Sequence, residues 1–156
     1  MKKLLLSTCC GPCATVALER LAKEYDVTVF FWGNNIHPRE EYERRLEAVL
    51  KLAPNAIVAE YKPLQPTSCK QCFEMRLKAT ADLNFDYFAT TLTTSPHKDA
   101  KLINQIGAQY KGYVPTDFKK NNGFARSVIL SKQLGLYRQN YCGCERSRHQ
   151  SPAGTL

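Results

Sequence analysis

Seven cysteines fall in three tight groups: Cys9-Cys10-Gly11-Pro12-Cys13, Cys69-Lys70-Gln71-Cys72 and Cys142-Gly143-Cys144. Thiolates spaced this closely can grip one side of a metal ion or cluster, because a turn or first helical turn aims them the same way. Each group is too short to surround a metal alone. Two of the groups together offer four ligands, and the third leaves more thiolates than one tetrahedral ion can use. Three chemistries stay open on spacing. Cys10-Gly11-Pro12-Cys13 matches a thioredoxin-type redox motif letter for letter, which gives a small thiol–disulfide oxidoreductase and employs two cysteines. A structural zinc site, as in a zinc-stabilised RNA-binding module without catalysis, employs four. An iron–sulfur cubane with further thiolates beside it employs all seven. Adjacent Cys9 and Cys10 favour the cluster, since neighbours can ligate different irons whereas one tetrahedral ion rarely accepts both. Isolated buried cysteines are ordinary core residues, but that reading does not explain three clusters.

The elements that must carry these groups alternate in type. Leu4–Thr8 is a short apolar run, followed by Ala14, Ala17, Leu18, Leu21 and Ala22 at helical spacing. Val27–Trp32 reads as a buried strand. Pro38 suits the first turn of a helix whose apolar stripe is Tyr42, Leu46, Val49, Leu50 and Ala53, with Pro54 ending it. Ala56–Tyr61 reads as a third strand, and a helix is predicted from near Cys69 through Cys72, Phe73, Leu77 and Ala81. Phe85–Thr91 reads as a fourth strand. Ser95-Pro96 is predicted to cap a helix through Leu102, Ile103 and Ile106, closed by Gly107. Val128, Ile129 and Leu134 mark a last helix ended by Gly135. This alternation predicts one three-layer α/β domain over residues 1–150 with a mostly parallel sheet, and a frayed tail over 151–156. Such sheets bind ligands beyond the carboxyl ends of their strands. Cys9, Cys10 and Cys13, then Asn34, Asn35 and His37, then Thr91 to Ser95 all follow strands and should converge there.

The 156-residue chain is 44% hydrophobic, which excludes a disordered protein. No apolar run reaches the roughly 18 residues of a spanning helix, so no membrane association is expected. The run Leu4-Leu5-Leu6 stops at Ser7, too short for the core of a signal peptide. A cytoplasmic location is therefore expected, where thiols stay reduced and clustered cysteines serve metals or redox chemistry. The net charge is +8, of which residues 111–156 hold +6, with eight basic and two acidic side chains. That concentration is expected of a surface that meets a phosphate-rich partner such as RNA.

In these residues the chain resembles the QueH-type epoxyqueuosine reductases, cobalamin-independent enzymes of tRNA queuosine biosynthesis. The resemblance is carried by Cys9-Cys10-Gly11-Pro12-Cys13, by Asn35-Ile36-His37-Pro38 with Glu41-Tyr42 and Arg45, and by Cys69-Lys70-Gln71-Cys72-Phe73 with Arg76-Leu77. It continues in Thr90-Thr91-Leu92-Thr93, Ser95-Pro96-His97-Lys98 and Asp117-Phe118-Lys119-Lys120. It ends in its most specific block, Leu136-Tyr137-Arg138-Gln139-Asn140-Tyr141-Cys142-Gly143-Cys144-Glu145-Arg146-Ser147. The chain departs from the family between Ala53 and Cys69, which looks shortened and carries Lys62-Pro63-Leu64-Gln65-Pro66.

The resemblance implies a Rossmann-like, HUP-type fold and an iron–sulfur oxidoreductase that removes the epoxide oxygen of epoxyqueuosine at the tRNA wobble position. It also implies a [4Fe–4S] cluster with an additional mononuclear iron beside it. Carried over by motif, the cluster falls to Cys9, Cys10, Cys69 and Cys72, and the iron to Cys13, Cys142 and Cys144. Family members can also carry Asp at the Cys13 position. Three thiolates leave one position of a tetrahedral ion open for an epoxide oxygen, as catalytic sites require. Electrons then come from an external donor. His37 is a candidate for a proton donor, weighed against a role in fixing the turn before Pro38. Tyr137 and Tyr141 are candidates to stack on a splayed anticodon-loop base, weighed against packing. Lys119, Lys120, Arg138, Arg146 and Arg148 are candidates to hold tRNA phosphates.

Overall fold

Leu4, Leu5 and Leu6 are fully buried side by side in β1 (Lys2–Thr8), the strand on which the architecture is centred. In this computed structural model, which describes residues 1–150, β1 pairs in parallel with β2 (Tyr25–Phe31) and with β4 (Tyr87–Thr90). A two-residue β3 (Ile57–Val58) adds to β2, so the all-parallel sheet runs β3-β2-β1-β4. The expected tail over 151–156 lies outside the described residues.

Alternation along the strands divides the core into layers. Leu5, Phe30 and Phe88 point to one face, where Phe73 and Leu77 of α3 (Cys69–Ala81) and Ile103 and Ile106 of α4 (Ala100–Gly107) cover them. Leu4, Leu6 and Ala89 point the other way, onto Val16, Ala17 and Leu21 of α1 (Gly11–Leu21). Val29 and Phe31 meet Tyr42 and Val49 of α2 (Arg39–Leu52) on that same side. α5 (Gly123–Gln133) packs against α1. The fold is thus a three-layer, Rossmann-like α/β domain. Its strands read as continuous apolar runs because both faces are covered.

Several elements differ from their sequence signals. The third strand is confined to Ile57–Val58, not Ala56–Tyr61, and both side chains are exposed at the sheet edge. Beyond Ala59 the chain is drawn off the sheet by Asn34, whose Oδ1 accepts from Lys62 N at 2.8 Å and whose carbonyl accepts from Leu64 N at 2.7 Å. Asp99, not Ser95, caps α4, its Oδ1 accepting from Leu102 N at 3.2 Å. Thr91–Thr94 instead wind into a 3-10 turn, and Ser95 is extended. In α2 the expected apolar Leu50 is exposed, while Glu41 and Arg45 are buried. Ile129 and Leu134 of the last helix region are exposed, and Ser127 and Ser131 are buried there instead, a close small-residue contact. A short α6 (Glu145–Gln150) follows the last cysteine pair; its charged sequence carries no apolar period to announce it. Among the described residues no helix is long and apolar enough to cross a membrane.

Leu77 ties α3, and with it Cys72, to the sheet without any solvent exposure. Leu77→Ala should destabilise the fold by about 2–5 kcal/mol, the usual cost of such a cavity, read from denaturant unfolding.

Candidate metal centre

The strand order reverses at β1: the chain runs outward through β2 and β3, then returns to place β4 on the other side. The crevice at such a switch lies beyond the carboxyl ends of the strands on either side of it. Cys9 and Cys10 follow β1 directly, Cys10 is the N-cap of α1, and Cys13 is in its first turn. Pro12 sits in that turn, where no helical partner for its nitrogen is needed. From the opposite face, α3 begins at Cys69 and presents Cys72 one turn later; Ser68 Oγ caps it, accepting from Gln71 N at 3.1 Å.

The third cysteine pair arrives on the segment 136–144, which crosses over α2. Arg45, 1% exposed, holds it there: Nη1 donates to the Cys142 carbonyl and Nη2 to the Tyr141 carbonyl, both at 2.8 Å. Its Nε donates to Glu41 Oε2 at 2.7 Å, and its guanidinium lies over the Tyr141 ring. Glu41 also accepts from the Tyr137 hydroxyl, and the Tyr141 hydroxyl donates to the His37 carbonyl. Between the two cysteines, Gly143 has φ +116°, and a Cβ there would come within 2.9 Å of Arg45 Nη1. Only glycine takes that turn at that approach. The result is a cavity of about 40 Å³ walled by Cys9, Cys10, Cys13, Cys142, Lys98 and Gln139.

The thiols are linked into two chains. Cys9 hydrogen-bonds to Cys10, which with burial raises its pKa well above the thiol norm. Cys10 hydrogen-bonds in turn to Cys13 and is pushed up to about 12, while the Cys13 thiol is lowered by receiving that bond. Cys144 hydrogen-bonds to Cys142; the first is raised and the second is held well below the usual thiol range, helped by Lys98 and Arg76. Burial alone disfavours the charge of the three nearby cations. Arg76 is raised nonetheless by Cys72, Cys9 and Cys142, one from each cysteine group. Lys98 is raised by Cys142, Cys9 and Cys13, and Arg45 by Cys9, Cys10 and Glu41. N–H donors add to this field at the sulfurs themselves. Cys72 Sγ accepts from Arg76 Nε at 3.2 Å and Asn35 Nδ2 at 3.3 Å, and Cys10 Sγ from Gln139 Nε2 at 3.1 Å.

All seven cysteines are free. Among the described residues no three His, Cys, Asp or Glu side chains converge tightly enough, as they stand, to hold one metal ion. Cys69 is exposed, and Cys69, Cys72 and Cys144 are not part of the cavity wall. The donor set nevertheless fits a thiolate-ligated centre in its chemistry: free sulfurs from three chain segments, with N–H donors on two of them and three cations gathered around them. The same observations disfavour dithiol exchange, which needs an accessible, acidic thiolate at the first cysteine of the motif. Cys10 is 1% exposed and its pKa is raised.

The other candidates separate. His37 is buried and its Nε2 lies 2.7 Å from the Leu64 carbonyl, with its backbone N–H on the Gly143 carbonyl, so it fixes the loop. Tyr141 is buried beneath Arg45 and not presented to a base; Tyr137 is half-buried and bonded to Glu41. Lys119 is turned inward, with Nζ on the carbonyls of Thr93 and Lys98 and 3.2 Å from Asp117. Lys120, Arg138 and Arg146 are exposed, as is Arg148, which pairs with Glu145. Glu41, Arg45, Arg76, Lys98 and Gln139 are the structural partners to which the residue types alone assigned no role. The signal was present for two: Arg45 lies three residues after Tyr42 and Arg76 three after Phe73, both on apolar helix stripes.

A sequence model of the family described as Epoxyqueuosine reductase QueH matches residues 4–67 and 55–150, two stretches that overlap across the shortened segment. A Streptococcus pyogenes serotype M1 protein described as Epoxyqueuosine reductase QueH is 38% identical, over 90% of this chain and 68% of its own length. Proteins of the same description from Staphylococcus epidermidis and Thermotoga maritima are 36% and 32% identical, over 91% and 92% of this chain and 74% and 89% of theirs.

Arg45→Leu would leave Glu41 buried without its partner and release the Tyr141 and Cys142 carbonyls. We expect a loss of about 3–5 kcal/mol in urea unfolding, and faster alkylation of Cys142 and Cys144 in the metal-free protein.

Proposed function

The chain belongs to the QueH family of epoxyqueuosine reductases and is an oxidoreductase, and on that premise we propose that it reduces epoxyqueuosine in tRNA to queuosine at an iron–sulfur centre built from its seven cysteines. The observation that carries this reading is the meeting of three cysteine groups around Arg45, Arg76 and Lys98 at the β1–β4 switch. Removing the epoxide oxygen breaks two C–O bonds and forms a C=C bond. It consumes two electrons and two protons and releases water.

In this reading Cys9, Cys10, Cys69 and Cys72 hold a [4Fe–4S] cluster, and Cys13, Cys142 and Cys144 hold an adjacent iron. Such a pair would supply single electrons and a Lewis acid beside them. Cys13 and Cys142 wall the same cavity as Cys9 and Cys10, which sets the two proposed ligand groups side by side. The chain's own residues do the rest. Arg76 and Asn35 hold the Cys72 sulfur, and Gln139 holds that of Cys10. Burial of Cys9 and Cys10 keeps bulk water from the inner side. Arg45 keeps Cys142 at the cavity. Lys120, Arg138, Arg146 and Arg148, all exposed near the C-terminal end of the described chain, meet the phosphates of the anticodon loop. An external one-electron donor and a cytoplasmic location complete the proposal.

Protein purified without oxygen should be brown, contain more than four irons per chain, and convert epoxyqueuosine to queuosine in tRNA, measured by mass spectrometry of digested nucleosides. Colourless zinc-bound protein without turnover sinks the proposal. Cys142→Ala and Cys144→Ala should each abolish turnover and keep the brown chromophore; loss of the chromophore would show the division to be wrong. Affinity for tRNA should weaken roughly 50-fold between about 50 and 200 mM salt, the response of about four phosphate contacts to a single strand. A flat response excludes the basic surface.

A further inference from the structure

Two buried side-chain oxygens lack a hydrogen-bond partner among the described residues, Asp117 Oδ1 and Gln139 Oε1. The Asp117 oxygen is offset by the Lys119 ammonium 3.2 Å away. The Gln139 oxygen belongs to a residue that walls the cysteine cavity. A buried carbonyl oxygen without a donor is costly, and an amide can usually avoid the cost by turning over.

Here it cannot turn. Gln139 Nε2 lies 3.1 Å from Cys10 Sγ. A ligating cysteine sulfur has no proton and can only accept, so the N–H edge of the amide must face it and the oxygen must face away. The backbone is equally fixed. Two residues before Gln139, the Tyr137 hydroxyl is tied to Glu41, and two residues after it the Tyr141 hydroxyl is tied to the His37 carbonyl. The amide is therefore a preset acceptor, bonded to the metal-binding face by one edge and buried without a donor at the other.

We propose that Gln139 Oε1 is a substrate-binding acceptor that takes a hydrogen bond from a hydroxyl or amine N–H close to the reacting epoxide and so orients the ring against the cysteines. This rests on the function proposed above. It gives one residue two duties: its nitrogen restrains the Cys10 sulfur and its oxygen selects the substrate. An analogue that lacks a donor at this point leaves the oxygen unpaired and is rejected.

The test uses the iron-loaded protein and two forms of one tRNA, with epoxyqueuosine or with unmodified guanosine at the wobble position. Gln139→Met keeps length and removes the acceptor; Gln139→Leu is the second variant. Wild-type protein should bind the epoxide form more tightly. Both variants should lose roughly five- to tenfold of that preference, the worth of one neutral hydrogen bond, and keep their chromophore, melting temperature and affinity for unmodified tRNA. An intact preference overturns the inference. Loss of the chromophore, or equal loss of affinity for both tRNAs, also overturns it, by showing that Gln139 only supports the site. Wild-type protein that neither prefers nor reduces the epoxide overturns the function on which the inference rests, and the inference with it.

Discussion

One buried guanidinium governs how the last third of the chain meets the first. Taking the Arg45 charge out of water costs several kcal/mol unless it is fully partnered. Every partner it finds is specific. Glu41 comes from the same helix face, and the two carbonyls belong to Tyr141 and Cys142. The position of the Cys142-Gly143-Cys144 turn is thereby coupled to the solvation of a charge, and the segment cannot slide without stranding it. Gly143 follows from this, since a side chain there would collide with the same guanidinium. So does Tyr137, whose hydroxyl completes the environment of Glu41.

Arg76 poses a different balance. It is 3% exposed, lies over the Trp32 ring, and its direct hydrogen bonds go to the Cys72 sulfur and the Trp32 carbonyl. Its charge is compensated by sulfur, not by a carboxylate. Two opposite outcomes follow from the same contact. With neutral thiols the guanidinium is a destabilising buried cation. With thiolates bound to a metal it is a counter-ion and a hydrogen-bond donor, and such donors are what tune thiolate centres. If a metal is bound there, part of the folding energy would lie in the occupied form of the site.

The layers of the fold were legible because the sheet is covered on both faces, so β1, β2 and β4 read as plain apolar runs. What sequence periodicity misread was everything set by polar contacts between distant segments. The third strand is cut short by Asn34, a residue more than twenty positions earlier. Ser95-Pro96 looks like a cap, yet the preceding threonines take the turn and Asp99 caps the helix. In α2, an amphipathic stripe predicts Leu50 inside, but burying the Glu41–Arg45 pair rotates the buried face away from it. The seven cysteines were visible as a set from their grouping alone. The groups that support their sulfurs were not, because Arg, Lys and Gln at these positions are ordinary surface residues until the fold encloses them. Tyr141 shows the converse: an aromatic next to the cysteines suggests a stacking platform, and Arg45 takes its face instead.

The placement of the cysteines at helix starts closes the argument. Cys10 caps α1 and Cys13 lies in its first turn; Cys69 opens α3 and Cys72 ends its first turn. No acidic side chain occupies the first turn of either helix. The positive dipole ends of both helices therefore lie beside cysteines with no carboxylate in competition. A parallel sheet offers this arrangement at its carboxyl edge without further invention, since each strand there delivers the chain to a helix N-terminus. The Cys-Gly-Pro-Cys run acquires its thioredoxin-like letters from that same geometry: a glycine or proline suits the turn, and a cysteine on either side faces the dipole. Burial then separates the two uses of the motif. A thiol–disulfide oxidoreductase leaves the first thiol open to solvent, whereas here Cys10 is 1% exposed, with Gln139 bonded to its sulfur.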